Sequence, residues 1–278
     1  MNTSMKSNKR LSTTLTYVVL ILGSILMIFP FVWMVLTCFK TQAESMAVPP
    51  QIFPSHWDLE NFVTALQSLP FVNLYVNTAL LIFFRVVCAV VFSSMAGYAF
   101  AKLNFPFKNF LFTIVLVQMM LPSQIFITPQ YLMLAHMGMT NTIFALVFPG
   151  IVSAFGTFFL RQTYLGIPNE IAEAAYLDGC NKWQTFTRVL FPLTGSSCAA
   201  LGIFTAVFAY SDLMWPLICN TDLNMMTLSA GLSTLNGQYT TNFPVLMAGS
   251  LLAMIPMVIL YLLFQKHFIQ GIAMTGGK

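Results

Sequence analysis

Charge is what this sequence has least of. Asp, Glu, Lys and Arg make up 7% of its 278 residues, against roughly a quarter in soluble globular domains. Eight acidic and twelve basic side chains could not cover the surface of a soluble body this size. The same scarcity excludes a disordered chain, a solvated coiled coil and a nucleic-acid-binding domain. Cysteine offers no framework either. Cys38, Cys88, Cys180, Cys198 and Cys219 are odd in number, with no C-x-x-C pair and no metal-ligand spacing, which leaves membrane-buried thiols. His56, His136 and His267 stand apart, so no metal site is expected. There is no H-E-x-x-H and no G-x-S-x-G, which removes intramembrane-protease and esterase readings. Gly271, Gly276, Gly277 and Lys278 miss a P-loop, because the G-K-[ST] ending and a preceding strand are lacking. This chain is therefore not expected to bind ATP itself. No internal repeat is visible, which weakens the inverted-repeat secondary transporters as a class.

What is abundant is apolar surface, at 58% of residues. A helix needs roughly 20 such residues to cross a bilayer, and charge-free windows predict an all-α polytopic membrane protein with six spans. Thr13–Phe39 reads as the first, an uncleaved anchor, since its apolar run exceeds a signal peptide's and no A-x-A site follows. Phe71–Ala101 reads as the second, with one charge, Arg85. Asn109–Leu160 carries none and suffices for two spans, with a break expected near Ala135–Asn141. Gly195–Pro216 and Pro244–Gln265 complete the set. The 18 Met and 27 Phe are spread through all of them, as lipid-facing packing requires. Basic residues fix the orientation. With six spans, Lys6, Lys9, Arg10, Lys102, Lys108, Arg161, Lys182, Arg188, Lys266 and Lys278 fall on one side and only Lys40 on the other. Both termini are expected in the cytoplasm.

Three loops are long enough to have structure. Lys40–Pro70 is proline-rich, and Leu217–Phe243 is polar but holds Met225, Met226, Leu228 and Leu232, so it is expected to dip back toward the membrane. The inner segment Ile167–Leu193 reads IPNEIAEAAYLDGCNKWQTFTRVLFPL. Pro168 suits a first helical position, and Glu170 and Glu173 complement the positive end of a helix. Ala172, Ala174 and Ala175 predict a smooth face that another protein can approach closely. Gly179 after Asp178 is a helix stop, Asn181 can cap a second helix, and Pro192 marks entry into the fifth span. Two short helices with a sharp turn are expected.

Glu173-Ala174-Ala175, Gly179 four residues on and Pro192 beyond it together resemble the EAA motif of ABC importer permeases, E-A-A-x(3)-G-x(9)-I-x-L-P, with Val189 for the isoleucine and Phe191 for the leucine. Asp178 and the Ile167–Glu170 lead-in resemble the carbohydrate-uptake, MalG-like branch, as do Trp215-Pro216 and the glycine-rich Gly271–Lys278 tail. The resemblance covers essentially the whole chain and implies a type I importer permease: one domain over residues 1–278, a core at about 71–266 and a coupling segment at about 167–193. It implies that the chain is no enzyme. ATP and magnesium would sit on two partner ATPases, beside a second, MalF-like permease and an extracytoplasmic sugar-binding protein in the bacterial inner membrane. Glu170, Glu173, Ala174, Ala175, Asp178, Gly179 and Pro192 would form the ATPase-coupling site, with Glu173 the polar anchor and Gly179 the bend. The Gly271–Lys278 tail would touch the ATPase.

Polar residues within spans are candidates for a translocation pathway: Asn77, Arg85, Gln118, Tyr210 and Asp212. Each has an alternative reading as an interhelical hydrogen bond. An unpaired Arg85 at mid-span costs roughly 2.5–3.5 kcal/mol or more, so it should meet an acidic or polar substrate, pair with Asp212 or a partner-permease group, or snorkel. Asp212 lies in Ala209–Pro216, where sugar permeases of this branch carry W-N-x-F-x-W-P, but the first Trp-Asn is missing here. The competing class is a stand-alone ion-coupled secondary transporter or channel, for which Arg85 and Asp212 would be the only relay residues.

Overall fold

The computed structural model describes the backbone of residues 2–237 and 241–276, with side chains for 13–237, 241–259, 261, 262 and 265. The side chains of Lys6, Lys9, Arg10 and Lys266 and the tail from Gly271, including Lys278, lie outside that set. Every regular element among the described residues is helical. The chain divides into two compact units, residues 1–69 with 234–255 and residues 70–233 with 256–278.

The first unit opens with α1 (Asn2–Thr37). Between Thr13 and Val32 this helix is exposed on every side, although it is almost wholly apolar there. Such a surface is tolerable only against lipid or another protein. A short loop helix α2 (Gln42–Ser45) follows, closed by a capping box between Thr41 and Glu44. Hydrogen bonds from Ser55 and Thr41 hold the Glu44 carboxyl down at about 2, so this staple stays ionised until the pH falls through that value. Lys40 is buried at 1% exposure. Its Nζ donates to Gln51 O at 2.6 Å and lies 4.2 Å from the Trp33 ring centre. Burial pulls this ammonium below its usual pKa. The helix α3 (Glu60–Ser68) is tied back by Asn61, whose amide donates to the carbonyls of Cys38 and Lys40. Gln42 holds the start of the final helix, donating to Thr241 O and accepting from Phe243 N–H.

The second unit is built around α4 (Phe71–Lys102). Although α4 is apolar nearly all round, burial follows a stripe through Leu74, Thr78, Leu81, Arg85, Ala89, Ser93 and Gly97, at helical spacing, with Phe71, Asn77, Ser94 and Tyr98 buried beside it. Then come α5 (Lys108–Met120), a 3₁₀ turn at Ser123–Phe126, α6 (Ile127–His136), α7 (Ile143–Val147), a 3₁₀ turn at Phe148–Gly150 and α8 (Ala154–Leu165). The break expected near Ala135–Asn141 is present, with Gly138 and Asn141 at φ +65° and +56°. Two further breaks divide the same run. Leu121 and Pro122 are extended, bending the pair by 103°, because a residue before proline avoids the helical region. Pro149 and Gly150 end the α7 turn, and α8 restarts at a 47° angle under a Ser153 cap.

Beyond α8 lie α9 (Asn169–Leu177), α10 (Lys182–Gln184), a π-helical stretch at Thr185–Leu190, α11 (Phe191–Leu193) and α12 (Gly195–Ser211). The fifth predicted span is shorter than its Gly195–Pro216 window. α12 stops at Ser211, Asp212 is extended, and Trp215-Pro216 sit in a separate α13 (Met214–Cys219). The polar segment that follows is buried at Met226 and Leu228 and forms α14 (Leu228–Ser233) against α4. The last helix, α15 (Phe243–Gly276), contains Pro256. By length and composition, Thr13–Thr37 and Phe71–Lys102 can each cross a membrane, and three bent pairs qualify jointly.

Close approach of α4 and α8 depends on glycine. A Cβ at Gly97 would stand 2.8 Å from Arg161 N and 3.0 Å from Leu160 C, both backbone atoms. At Gly156 it would meet the Ser93 side chain. The chain breaks also leave backbone carbonyls without helical donors. Pro149 has no N–H to give Ala145 O, and Trp215 Nε1 donates there instead at 2.9 Å. The next carbonyl, Leu146 O, accepts from Arg85 Nη2 at 2.7 Å and Nε at 3.1 Å. Arg85 Nη1 donates to Asp212 Oδ2 at 2.9 Å.

Gly97→Ala is expected to destabilise the protein by about 1–3 kcal/mol through overpacking, whereas Gly195→Ala, with nothing within 4 Å, should be neutral. Thermal unfolding in detergent tests both. Arg85→Met is expected to lower stability by about 2–4 kcal/mol, because it strands the Asp212 charge. Adding Asp212→Leu should recover a substantial part of that loss. Equal melting temperatures for the single and double variants would show that the stranded Asp212 charge is not the source of the loss.

Candidate functional site

Two places gather the chemically distinctive residues, both in the second unit. The first is the surface made by α9, the turn after it and α10. Pro168 stands one residue before α9, extended at ψ 142°, so it introduces the helix rather than occupying its first position. Gly179 takes φ +85°, a conformation costing other residues about 1–2 kcal/mol, and stands in the turn after α9. Asn181 caps α10 reciprocally with Gln184, at 2.8 and 2.9 Å.

The alanine face expected to be smooth is divided. Ala172 and Ala175 are buried at 7% and 6% exposure, while Ala174 points outward. Spacing of three residues places the first two on one side of the helix, where Ala172 joins a core with Tyr98, Leu160, Tyr164, Phe186, Leu190 and Leu201. The outward surface is Glu170, Glu173, Ala174 and Asp178, with Leu177 90% exposed at the tip. Pro192 lies on the exposed side of α11. The foot of α4 grips this segment at both ends. Lys102 Nζ donates to Ile167 O and Asn169 Oδ1, each at 2.6 Å, and the Tyr98 hydroxyl donates to Lys182 O at 3.1 Å. Nothing in the local sequence pattern of Ile167–Leu193 singles out Tyr98 or Lys102, since both lie about 70 residues upstream.

The second place is a pair of adjoining cavities of about 620 and 600 Å³. Arg85, Gln118, Ser123, Phe126, Pro149, Gly150 and Phe208 line both, and Asp212 lines the larger. Of the five polar residues picked out in the spans, the structure therefore brings together Arg85, Gln118 and Asp212. Asn77 is elsewhere. It is 7% exposed, and its amide donates to the carbonyls of Asn224 and Met226 at 2.8 and 2.9 Å. Tyr210 is half-buried and outside both cavity linings. Ser123, Gln124, Gln130 and Ser211 also line the larger cavity. A signal for three of these was available, since Gln118, Ser123, Gln124 and Gln130 flank Pro122 in an otherwise apolar run.

The cavity's electrostatics are set by one ion pair. The side chains of Arg85 and Asp212 are 10% and 25% exposed. A Cβ at Gly150 would stand 2.7 Å from Arg85 Cδ, so the glycine is what lets the guanidinium lie against the Phe148–Gly150 turn. Asp212 is fixed from behind as well, its carbonyl accepting from Ser229 Oγ at 2.7 Å. Amides, hydroxyls and aromatic faces around a neutralised charge pair can bind a polar solute. They supply no nucleophile–base constellation and no cluster of metal ligands among the described residues.

The arabinooligosaccharides transport system permease protein AraQ of Halalkalibacterium halodurans is 34% identical over 254 residues, covering 90% of this chain and 91% of its own. The sn-glycerol-3-phosphate transport system permease protein UgpE of Salmonella typhi is 29% identical, covering 96% and 98%. A solved structure of a bacterial ABC transporter involved in the import of the acidic polysaccharide alginate matches with a TM-score of 0.78 at 20% identity, over 94% of this chain and 98% of that one; it shows the same fold. The family described as the binding-protein-dependent transport system inner membrane component matches residues 89–274. That span takes in the gripped α9–α10 segment and most of the cavity lining, and this chain belongs to that family.

Proposed function

We propose that this chain is one transmembrane subunit of an ATP-driven importer for a sugar or oligosaccharide. Six spans carry it across the inner membrane with both termini cytoplasmic. A single permease domain spans residues 1–278, with its core at about 71–266. It works beside a second, MalF-like permease, two ATPase subunits that bind ATP and magnesium, and an extracytoplasmic sugar-binding protein. The observation that carries the reading is the α9–Gly179–α10 segment, which presents an acidic, protruding outer face while its inner face is packed into the core.

The segment at about 167–193 transmits ATPase closure. Glu170, Glu173, Ala174 and Asp178 meet the ATPase, Ala175 seats the helix, Gly179 sets the bend and Pro192 joins it to α12. Because Lys102 and Tyr98 fasten the segment to the foot of α4, a push on α9 reaches the Arg85 level of the same helix. The cavity bounded by Arg85, Gln118 and Asp212 is this subunit's share of the pathway. Kinship to permeases for arabinooligosaccharides supports a glycan cargo.

Two tests bear on this. A tagged chain purified in mild detergent from its native host should bring an ATPase and a second, different permease. A homo-oligomer without ATPase, persisting after cross-linking, would overturn the importer reading. Glu173→Ala and Gly179→Asp should each reduce uptake at least about tenfold, a loss of roughly 1.4 kcal/mol in coupling, while membrane insertion is retained. Normal uptake in both variants would sink the coupling role.

A further inference from the structure

The relatives' own names pair this family with cargoes of different electrical character, uncharged arabinooligosaccharides on one hand and anionic glycerol phosphate on the other. The residues of this chain's cavity choose between them. Arg85 and Asp212 are the charged side chains among the lining residues of the two cavities, and they sit 2.9 Å apart in an ion pair. The guanidinium is turned into the protein, with Nε and Nη2 donating to Leu146 O and a side-chain exposure of 10%. Asp212 is the more exposed partner at 25%. A phosphate or uronate entering the cavity would thus meet a cation already neutralised by a carboxylate, and would gain no net Coulomb attraction from the pair. The other polar lining includes Gln118, Ser123, Gln124, Gln130 and Ser211 in the larger cavity, uncharged groups that both donate and accept, as sugar hydroxyls do.

We infer that this subunit's pathway is matched to a neutral, polyhydroxylated solute and offers anionic ones no electrostatic attraction, with Asp212 as the specificity-determining residue. The inference rests on the cavity being the translocation pathway. Asp212 neutralises Arg85, and removing it would expose a fixed positive charge to the lumen.

The field can be read without knowing the cargo. In the assembled importer in lipid nanodiscs, Ser123→Cys places a thiol on the shared wall of the two cavities, with Cys88→Ala and Cys180→Ala removing the partly exposed native thiols. The rates of modification by an anionic and a cationic methanethiosulfonate are compared, each divided by that reagent's rate with a free thiol. The expected ratio is within about threefold of one. Asp212→Asn should shift it toward the anionic reagent by about tenfold, and Arg85→Gln/Asp212→Asn should return it to near one. A wild-type ratio beyond about threefold in either direction, or an Asp212→Asn ratio unchanged from wild type, would overturn the neutral-cargo inference alone. No reaction with either reagent would overturn the pathway reading itself, and this inference with it.

Discussion

A guanidinium at the middle of a membrane helix holds three chain segments in place. Arg85 donates to the carbonyl of Leu146, where α7 gives way to a proline, and to the carboxylate of Asp212, where α12 stops short. Both partners exist because helices are broken in the apolar region, and each break strands backbone polar groups that hydrocarbon cannot satisfy. Trp215 answers the same need one residue earlier, at Ala145 O. The broken helices and the buried charge are therefore mutually dependent. Without the breaks Arg85 would lack acceptors, and without Arg85 the Leu146 carbonyl would lose its side-chain donors. Glycine completes the arrangement, since Gly150 leaves the room that the arginine stem occupies.

The same helix connects this junction to the rest of the unit. At one end of α4, Asn77 and Thr78 lace it to the 224–228 segment, by two donated bonds and one accepted from Leu228 N–H at 2.9 Å. At the other end Tyr98 and Lys102 hold the α9–α10 segment. In between, Gly97 and Gly156 let α8 approach to backbone contact. The unit is thus joined along one axis, an arrangement suited to the proposed conversion of an external push into a change of access.

The sequence is most legible where causes are local. Gly179 after Asp178 and Asn181 before Lys182 state their backbone geometry in two residues, and the structure has both. Arg85 is conspicuous by cost alone, and Asp212 is the only acidic residue near membrane depth that could answer it. The carbonyl partner is harder to see, because a backbone oxygen has no letter. Yet Pro149 four residues after Ala145 already says that one acceptor there lacks its donor. The alanines misled because a helix has two sides, and only the fold reveals that Ala172 is spent on the core with Tyr98 and Phe186 and that Ala175 is buried beside it in sequence while Ala174 is not. Asn77 looks like a pathway residue for the same reason. Its identity fits a lumen, while its surroundings commit both amide hydrogens to carbonyls.

An apolar pair of similar volume would often stabilise such a junction as well as Arg85 and Asp212 do, since desolvation offsets most of the attraction between buried charges. What the ion pair adds is direction. A guanidinium has fixed donors that can serve a carbonyl and a carboxylate together, so it specifies which broken ends meet and at what angle. Leucine and methionine would fill the space without choosing a register. Polar specification of this kind is most useful where helices must break yet return to one arrangement, and here the breaks at Pro122, Gly150 and Asp212 all border the cavity. The arginine is thus placed where irregular backbone and open space coincide, and its neutralised charge is a consequence of serving the backbone first.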